Sequence, residues 1–334
     1  MAIELDIFSP QISAVSKGLD GKSFLVYGSN RTGKTSVGCQ FPKPFYLGFE
    51  NGISAISGVP FLPINNWSAF LKIVKQLTKP ENLEKVKEMY QTIIFDTLEA
   101  AARYCEEYTC AKYGVETIAS GNKGYGIWKE FSLELWKPLN QLTSCGLTTY
   151  FIAHDGTREV PDANGEKTEK IYPRGEKRLV DPAVDLCDFI IFLQPNGIGE
   201  DGKEIPSSAY CKNTREYHAG SRFTFMPERL DVFSAENLQR AVEYAVAKEE
   251  EVKKIKAVTF TEQKDRTAVV KKSFAELTSE IKKIATDLNA KGQLDKYKSI
   301  VEIYLGKDSS VKEAREDQTQ QLELILDDLK DLMG

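Results

Sequence analysis

Histidine and cysteine are scarce and poorly placed for metal chemistry. The chain has two histidines, His154 and His218, and six cysteines (Cys39, Cys105, Cys110, Cys145, Cys187, Cys211) with no CxxC pair among them. Neither a zinc site nor a disulfide framework is indicated, and the thiols are expected to be reduced and mostly buried. Long apolar runs are missing as well: no stretch approaches the roughly 18 apolar residues of a membrane span. The opening Met1-Ala2-Ile3-Glu4-Leu5-Asp6 has no basic segment of the kind that begins a secretory signal. A soluble, cytoplasmic protein without a membrane partner is expected. Positive charge is not in excess either, since the formal net charge is -5. That excludes a protein coating nucleic acid with its whole surface and leaves room only for local basic loops. No internal repeat is visible.

What the chain does have is ordinary globular composition over 334 residues, enough for an α/β domain and a smaller appendage. Short apolar, β-prone runs alternate with helical spacing. Lys22 to Tyr27, Pro44 to Phe49, Thr92 to Asp96 and Thr148 to Ala153 read as strands. Helical faces cover about 68–79, 98–113 and 127–142, and further strands are expected at 188–193, 207–212 and 222–225. Such alternation predicts a mostly parallel sheet between helices. The polar stretch from Asp155 to Pro182, with Gly156, Pro161, Gly165, Pro173 and Gly175, reads as a long irregular loop. The expected division is a core at 1–250, a charged linker at 251–270 and a helical region at 271–334, whose stripe Leu322, Ile325, Leu326 and Leu329 suggests a small bundle.

The segment Gly28-Ser29-Asn30-Arg31-Thr32-Gly33-Lys34-Thr35 is a complete phosphate-binding loop, followed by Ser36 and set between a strand and a helix. Glycines at 28 and 33 let the backbone curl its N–H groups toward phosphate oxygens, Lys34 reaches the β and γ phosphates, and Thr35 ligates Mg²⁺. ATP with Mg²⁺ is the expected ligand. Such loops need an acid at the end of a neighbouring apolar strand to hold the metal, and Asp96 fits; an Asp there also caps helices well. Two acids are placed to orient the attacking water, Glu50 at the end of the second strand and Glu99 in the helix after Asp96. Glu50 is preferred because strand ends face the ligand crevice in such sheets. His154, also at a strand end, is a candidate sensor of the γ phosphate. Lys212 and Arg215, in Lys212-Asn213-Thr214-Arg215, are candidates to complete a neighbouring subunit's site. In the polar loop, Lys167, Lys170, Tyr172, Arg174, Lys177 and Arg178 interleave cations with an aromatic, as single-stranded nucleic acid prefers, although acids lie among them.

In order, GSNRTGKT, Pro44 to Gly52 with Glu50, IIFDTLE, Tyr150 to Asp155 with His154, and KNTR resemble the phage-encoded RecA-like ATPases of single-strand annealing and recombination, over roughly residues 10–245. The resemblance implies a RecA-like core in which Lys34 and Thr35 bind ATP and Mg²⁺, Asp96 belongs to the second metal motif, Glu50 is the catalytic glutamate and His154 follows the sensor strand. It also implies that 155–182 and the segment around Gly121 to Gly126 occupy the DNA-loop positions. ATP would then lie between subunits of a ring or filament on single-stranded DNA, with a single-strand-binding protein or another recombination factor as a further partner. KNTR departs from the tighter Lys-x-Arg spacing of some relatives. A helicase or helicase loader, and less so a small-molecule P-loop kinase, are the alternative readings.

Overall fold

The structure is a computed structural model that describes residues 8, 10, 12–50, 52–161, 165–175, 177–267 and 272–333. Met1 to Asp6, Asn51 and the end of the expected linker at 268–270 lie outside the described residues. The chain divides into two compact units, Ile12–Gln263 and a second from Lys264 onward.

The first unit contains, in order, β1 (Ser23–Gly28), α1 (Lys34–Gly38), β2 (Pro44–Gly48), β3 (Phe61–Pro63), α2 (Trp67–Thr78), α3 (Leu83–Met89), β4 (Thr92–Asp96), α4 (Leu98–Tyr113), α5 (Trp128–Ser144) and β5 (Thr148–Ala153). There follow β6 (Asp155–Pro161), β7 (Lys167–Pro173), α6 (Lys177–Leu186), β8 (Phe189–Gln194), β9 (Ser208–Tyr210), β10 (Gly220–Ser221), β11 (Arg229–Leu230) and α7 (Ala235–Lys253). The main sheet runs β11-β9-β8-β1-β5-β4-β2-β3, with β10 paired to β8. From β8 to β3 every pairing is parallel, and β9, β10 and β11 add antiparallel pairings beyond β8. Strands β1, β4 and β5 are buried throughout, which is why they read as unbroken apolar runs rather than alternating ones. One face of the sheet packs Leu25, Phe95 and Phe151 against Phe70, Leu135 and Leu139 of the covering helices. The other packs Phe24, Val26, Ile94 and Ile152 with Val37, Leu238 and Val242. This is the mixed α/β architecture with a mostly parallel sheet that the sequence predicts.

Three expectations need correction. The stretch 155–182 is not irregular: β6 and β7 form an antiparallel hairpin of their own, registered from Asp155↔Pro173 to Pro161↔Lys167, and α6 follows. Second, the strand expected at 222–225 is replaced by the two-residue β10 just before it. Third, the linker expected at 251–270 begins inside α7, and the first unit continues to Gln263. Ala257 and Val258 are buried, and the Val258 N–H donates to the Val15 carbonyl at 3.0 Å. A highly charged run conceals this return strand-like contact.

Across the division runs α8 (Phe260–Thr267), and the second unit holds α9 (Phe274–Ala290), α10 (Leu294–Leu305) and α11 (Thr319–Met333). Helix α9 starts at a capping box, with Ser273 and Glu276 each bonding the other's main chain. Leu277, Ile281, Val301, Leu322, Ile325, Leu326 and Leu329 form the bundle core. Leu326 is fully enclosed there, so Leu326→Ala should destabilise this unit by about 2–5 kcal/mol. Thermal unfolding followed by circular dichroism would show the shift, and an unchanged melting profile would contradict this packing.

Candidate nucleotide site

The phosphate loop begins where β1 ends. Gly28 has φ 156°, and a Cβ there would lie 2.6 Å from the Leu193 carbonyl oxygen on β8, so the chain can turn only with glycine. Gly33 enters α1 at φ 85°, and Arg31 at the loop tip also has positive φ, 64°. The loop closes on itself: Lys34 Nζ donates to the carbonyls of Gly28 at 2.8 Å and Ser29 at 2.6 Å, and Thr32 Oγ1 donates to Ser29 O at 2.9 Å. Lys34 is buried, and its own carbonyl accepts from the Tyr150 hydroxyl at 2.9 Å. Burial pushes the Lys34 ammonium down; the charges of Asp96, Asp155 and Glu99 oppose this and Arg174 adds to it.

Because β5 lies between β1 and β4, the ends of all three strands, with that of β2, border one cleft of about 200 Å³. Its walls include Asn30 to Ser36, Glu50, Asp96, Thr97 and His154. A larger groove, about 640 Å³, between α2, α4 and α5 contains none of these groups. Asp96 is buried, and its Oδ2 accepts from Thr35 Oγ1 at 2.7 Å and from the Tyr46 hydroxyl at 3.1 Å. Burial raises the Asp96 carboxyl above the ordinary carboxylate range, the two hydrogen bonds oppose this, and the Glu50 charge reinforces it. The Asp96–Thr97 peptide is cis. Tyr46 is a contributor that sequence reading missed, since an aromatic in a buried strand gives no sign that its hydroxyl meets an acid.

Glu50, just past β2, accepts from Thr97 Oγ1 at 3.0 Å, and Arg103 lies 4.0 Å away. Glu99 is engaged differently: its Oε1 accepts the His154 main-chain N–H at 2.6 Å and lies 3.5 Å from His154 Nδ1. Its Oε2 is buried without a hydrogen-bond partner. Glu50 and Asp96 are thus brought together with the phosphate loop, and His154 joins them through Glu99.

The donor set suits Mg²⁺. Thr35 and Asp96 offer a hydroxyl and a carboxylate, and among the described residues no group of three or more His, Cys, Asp or Glu could hold a metal alone. A cation held by Thr35 and Asp96 would need its other ligands from phosphate and water, which is the habit of Mg²⁺.

The remaining candidates lie outside the cleft. Lys212 is exposed, 3.8 Å from Glu228, and Arg215 is exposed. On the hairpin, Lys167 pairs with Glu159 at 2.9 Å and Lys170 donates to Asn213 Oδ1 at 2.8 Å. Tyr172 is not the open stacking surface expected of it. The His218 ring stacks on it at 4.3 Å and the Arg158 guanidinium lies over it at 4.4 Å. Desolvation holds His218 down at about 4, with the charges of Lys170 and Arg158 adding to the shift, so this stack is neutral at its histidine near pH 7. Lys177 and Arg178 are exposed on α6, and Arg178 lies 4.3 Å over the Trp128 ring at the start of α5. Arg174 is rooted beside His154, to whose carbonyl its N–H donates at 2.7 Å.

No helix among the described residues is long and apolar enough to cross a membrane. A family model described as an AAA domain matches residues 20–223, a span holding β1 to β8 and every residue of the cleft. The chain is also 46% identical over 330 residues, 99% of each protein, to the SPbeta prophage-derived uncharacterized protein YorG of Bacillus subtilis (strain 168). With its phosphate loop, buried acid and cleft all inside the matched span, the chain belongs to the AAA domain family of P-loop ATPases.

Proposed function

We propose that this protein binds and hydrolyses ATP with Mg²⁺, assembles on single-stranded DNA and promotes annealing or strand exchange. The observation that carries the reading is the placement of a hairpin bearing Lys167 and Lys170, among as many acids as cations, directly after the cleft wall: β5 ends at Ala153, His154 lines the cleft, and β6 begins at Asp155. The cleft and a hairpin whose Lys167 and Lys170 are proposed to meet phosphates are then one residue apart. A second segment supports it. The turn at 121–126 leads into Trp128, which Arg178 covers, and within it Lys123 and Tyr125 are exposed, Tyr125 at 84%. Tyr125, rather than the enclosed Tyr172, is the aromatic free to stack on a base, and Lys123, Lys167, Lys170, Lys177 and Arg178 supply phosphate contacts. A prophage relative alike along the whole chain agrees with a role in phage DNA metabolism. Lys212 and Arg215 are proposed to act on a neighbouring subunit's nucleotide in a ring or filament.

ATP turnover measured with and without single-stranded DNA at low salt is expected to rise several-fold with DNA, and binding to weaken steeply with salt. Electron micrographs of the protein on DNA should show rings or filaments. Absence of DNA binding in every nucleotide state would sink the reading, and directional ATP-fuelled unwinding would favour a helicase instead.

A further inference from the structure

Arg174 stands at the root of the hairpin, against the cleft. Its main-chain N–H donates to the His154 carbonyl at 2.7 Å, and its Nε donates to the Asp155 carbonyl at 3.0 Å. Gly156 lies against it, where a Cβ would make only ordinary van der Waals contact, 3.4 to 3.6 Å, with the Arg174 Cα, Cβ and Cγ. The side chain is exposed, and among the described residues no carboxylate pairs with it. The hairpin's other arginine differs, since Arg158 holds Asp181 at 2.6 Å. Arg174 is also close enough to the phosphate loop for its charge to act on Lys34. Lys34 lines the cleft, Arg174 is tied to the cleft-lining His154, and the charges of Asp96, Asp155 and Glu99 also act on Lys34; a planar guanidinium at this edge matches phosphate oxygens in pairs.

We propose that Arg174 is a phosphate-reading residue of the nucleotide site, which donates to the terminal phosphate of a bound nucleoside triphosphate and so ties the presence of that phosphate to the root of the β6–β7 hairpin. The proposal rests on the nucleotide reading of the cleft. A diphosphate leaves the guanidinium on the Asp155 carbonyl. A triphosphate draws it inward, and because its own N–H is bonded to the cleft-lining His154, the shift is delivered to the strand pair. A ligand biases such an element only by binding its two arrangements unequally, and the terminal phosphate supplies that inequality.

The test uses the full chain and two labelled nucleotides, a slowly hydrolysed ATP analogue and ADP, together with a labelled oligothymidylate in the absence of nucleotide. In Arg174→Ala, affinity for the triphosphate should fall about 10- to 100-fold, as expected for losing a charge-assisted phosphate contact. Affinity for ADP should stay within about two-fold, and Arg174→Lys should recover part of the loss because it keeps the charge without the paired donors. Nucleotide-free binding of oligothymidylate should be unchanged. An unaltered ratio of triphosphate to diphosphate affinity in Arg174→Ala overturns the proposal. If that ratio holds while oligothymidylate binding drops, Arg174 is a DNA contact instead. A parent protein that binds neither nucleotide overturns the reading of the cleft itself, an outcome separate from these because it appears before any substitution.

Discussion

Replacing Lys34 with alanine should weaken ATP and ADP binding on the order of 100-fold or more and abolish turnover. The ammonium is buried at 6% exposure and held by the carbonyls of Gly28 and Ser29, so it is positioned before any ligand arrives. Nucleotide entry exchanges those carbonyls for phosphate oxygens, and truncating one partner of a desolvated charge pair costs about 2–5 kcal/mol, with every 1.4 kcal/mol worth tenfold. Burial lowers the lysine's proton affinity, but three carboxylates act in the opposite direction. Titration calorimetry with each nucleotide checks the claim, with circular dichroism to show that the loop variant is folded. Binding within a few-fold of the parent would mean that the cleft is not a phosphate site.

The second large effect separates binding from chemistry. Glu50→Gln should keep ATP affinity within a few-fold while hydrolysis falls about 10²- to 10⁴-fold, the range set by losing a positioned general base. Glu50 is suited to the task by what surrounds it: its side chain is 38% exposed at the cleft, and the Thr97 hydroxyl steadies one oxygen. A water molecule can reach it. Glu99 cannot serve as readily, because one oxygen is taken by the His154 N–H and the other is buried. Its geometry suits a brace for His154. Single-turnover hydrolysis in Glu50→Gln and Glu99→Gln decides between them. Normal turnover in the first and loss in the second would reassign the base to Glu99.

Local chemistry was the part of this protein that could be read in its sequence. The phosphate loop is contiguous, so glycines, Lys34 and Thr35 announce themselves, and fully buried parallel strands are conspicuous as apolar runs ending at Glu50, Asp96 and His154. The hairpin was hidden because both of its faces carry polar residues: Thr157, Glu159, Lys167 and Glu169 on one and Arg158, Thr168 and Lys170 on the other leave no clear alternation of apolar and polar residues. Pro182 likewise disguised α6, which carries it inside the helix. Partnerships between distant residues left no local mark. Tyr172 lost its role as a stacking surface to Arg158 and to His218, and Asp96 gained Tyr46, 50 positions earlier. Arg174 read as one more loop cation until the register placed it beside His154.

Strand β5 is made long after β4 yet is laid between β4 and β1. Thr35 and Asp96, 61 positions apart, bond across the gap this strand fills. Closing such long loops costs entropy before any contact repays it, so a nascent chain that ends before Thr148 carries the phosphate loop as sequence but has no place to hold a nucleotide. The finished cleft requires β5 in place between β1 and β4. A ligand that binds only this form stabilises the whole sheet by RT ln(1 + [L]/Kd), which makes the melting temperature of the core a direct gauge of how much nucleotide the protein holds.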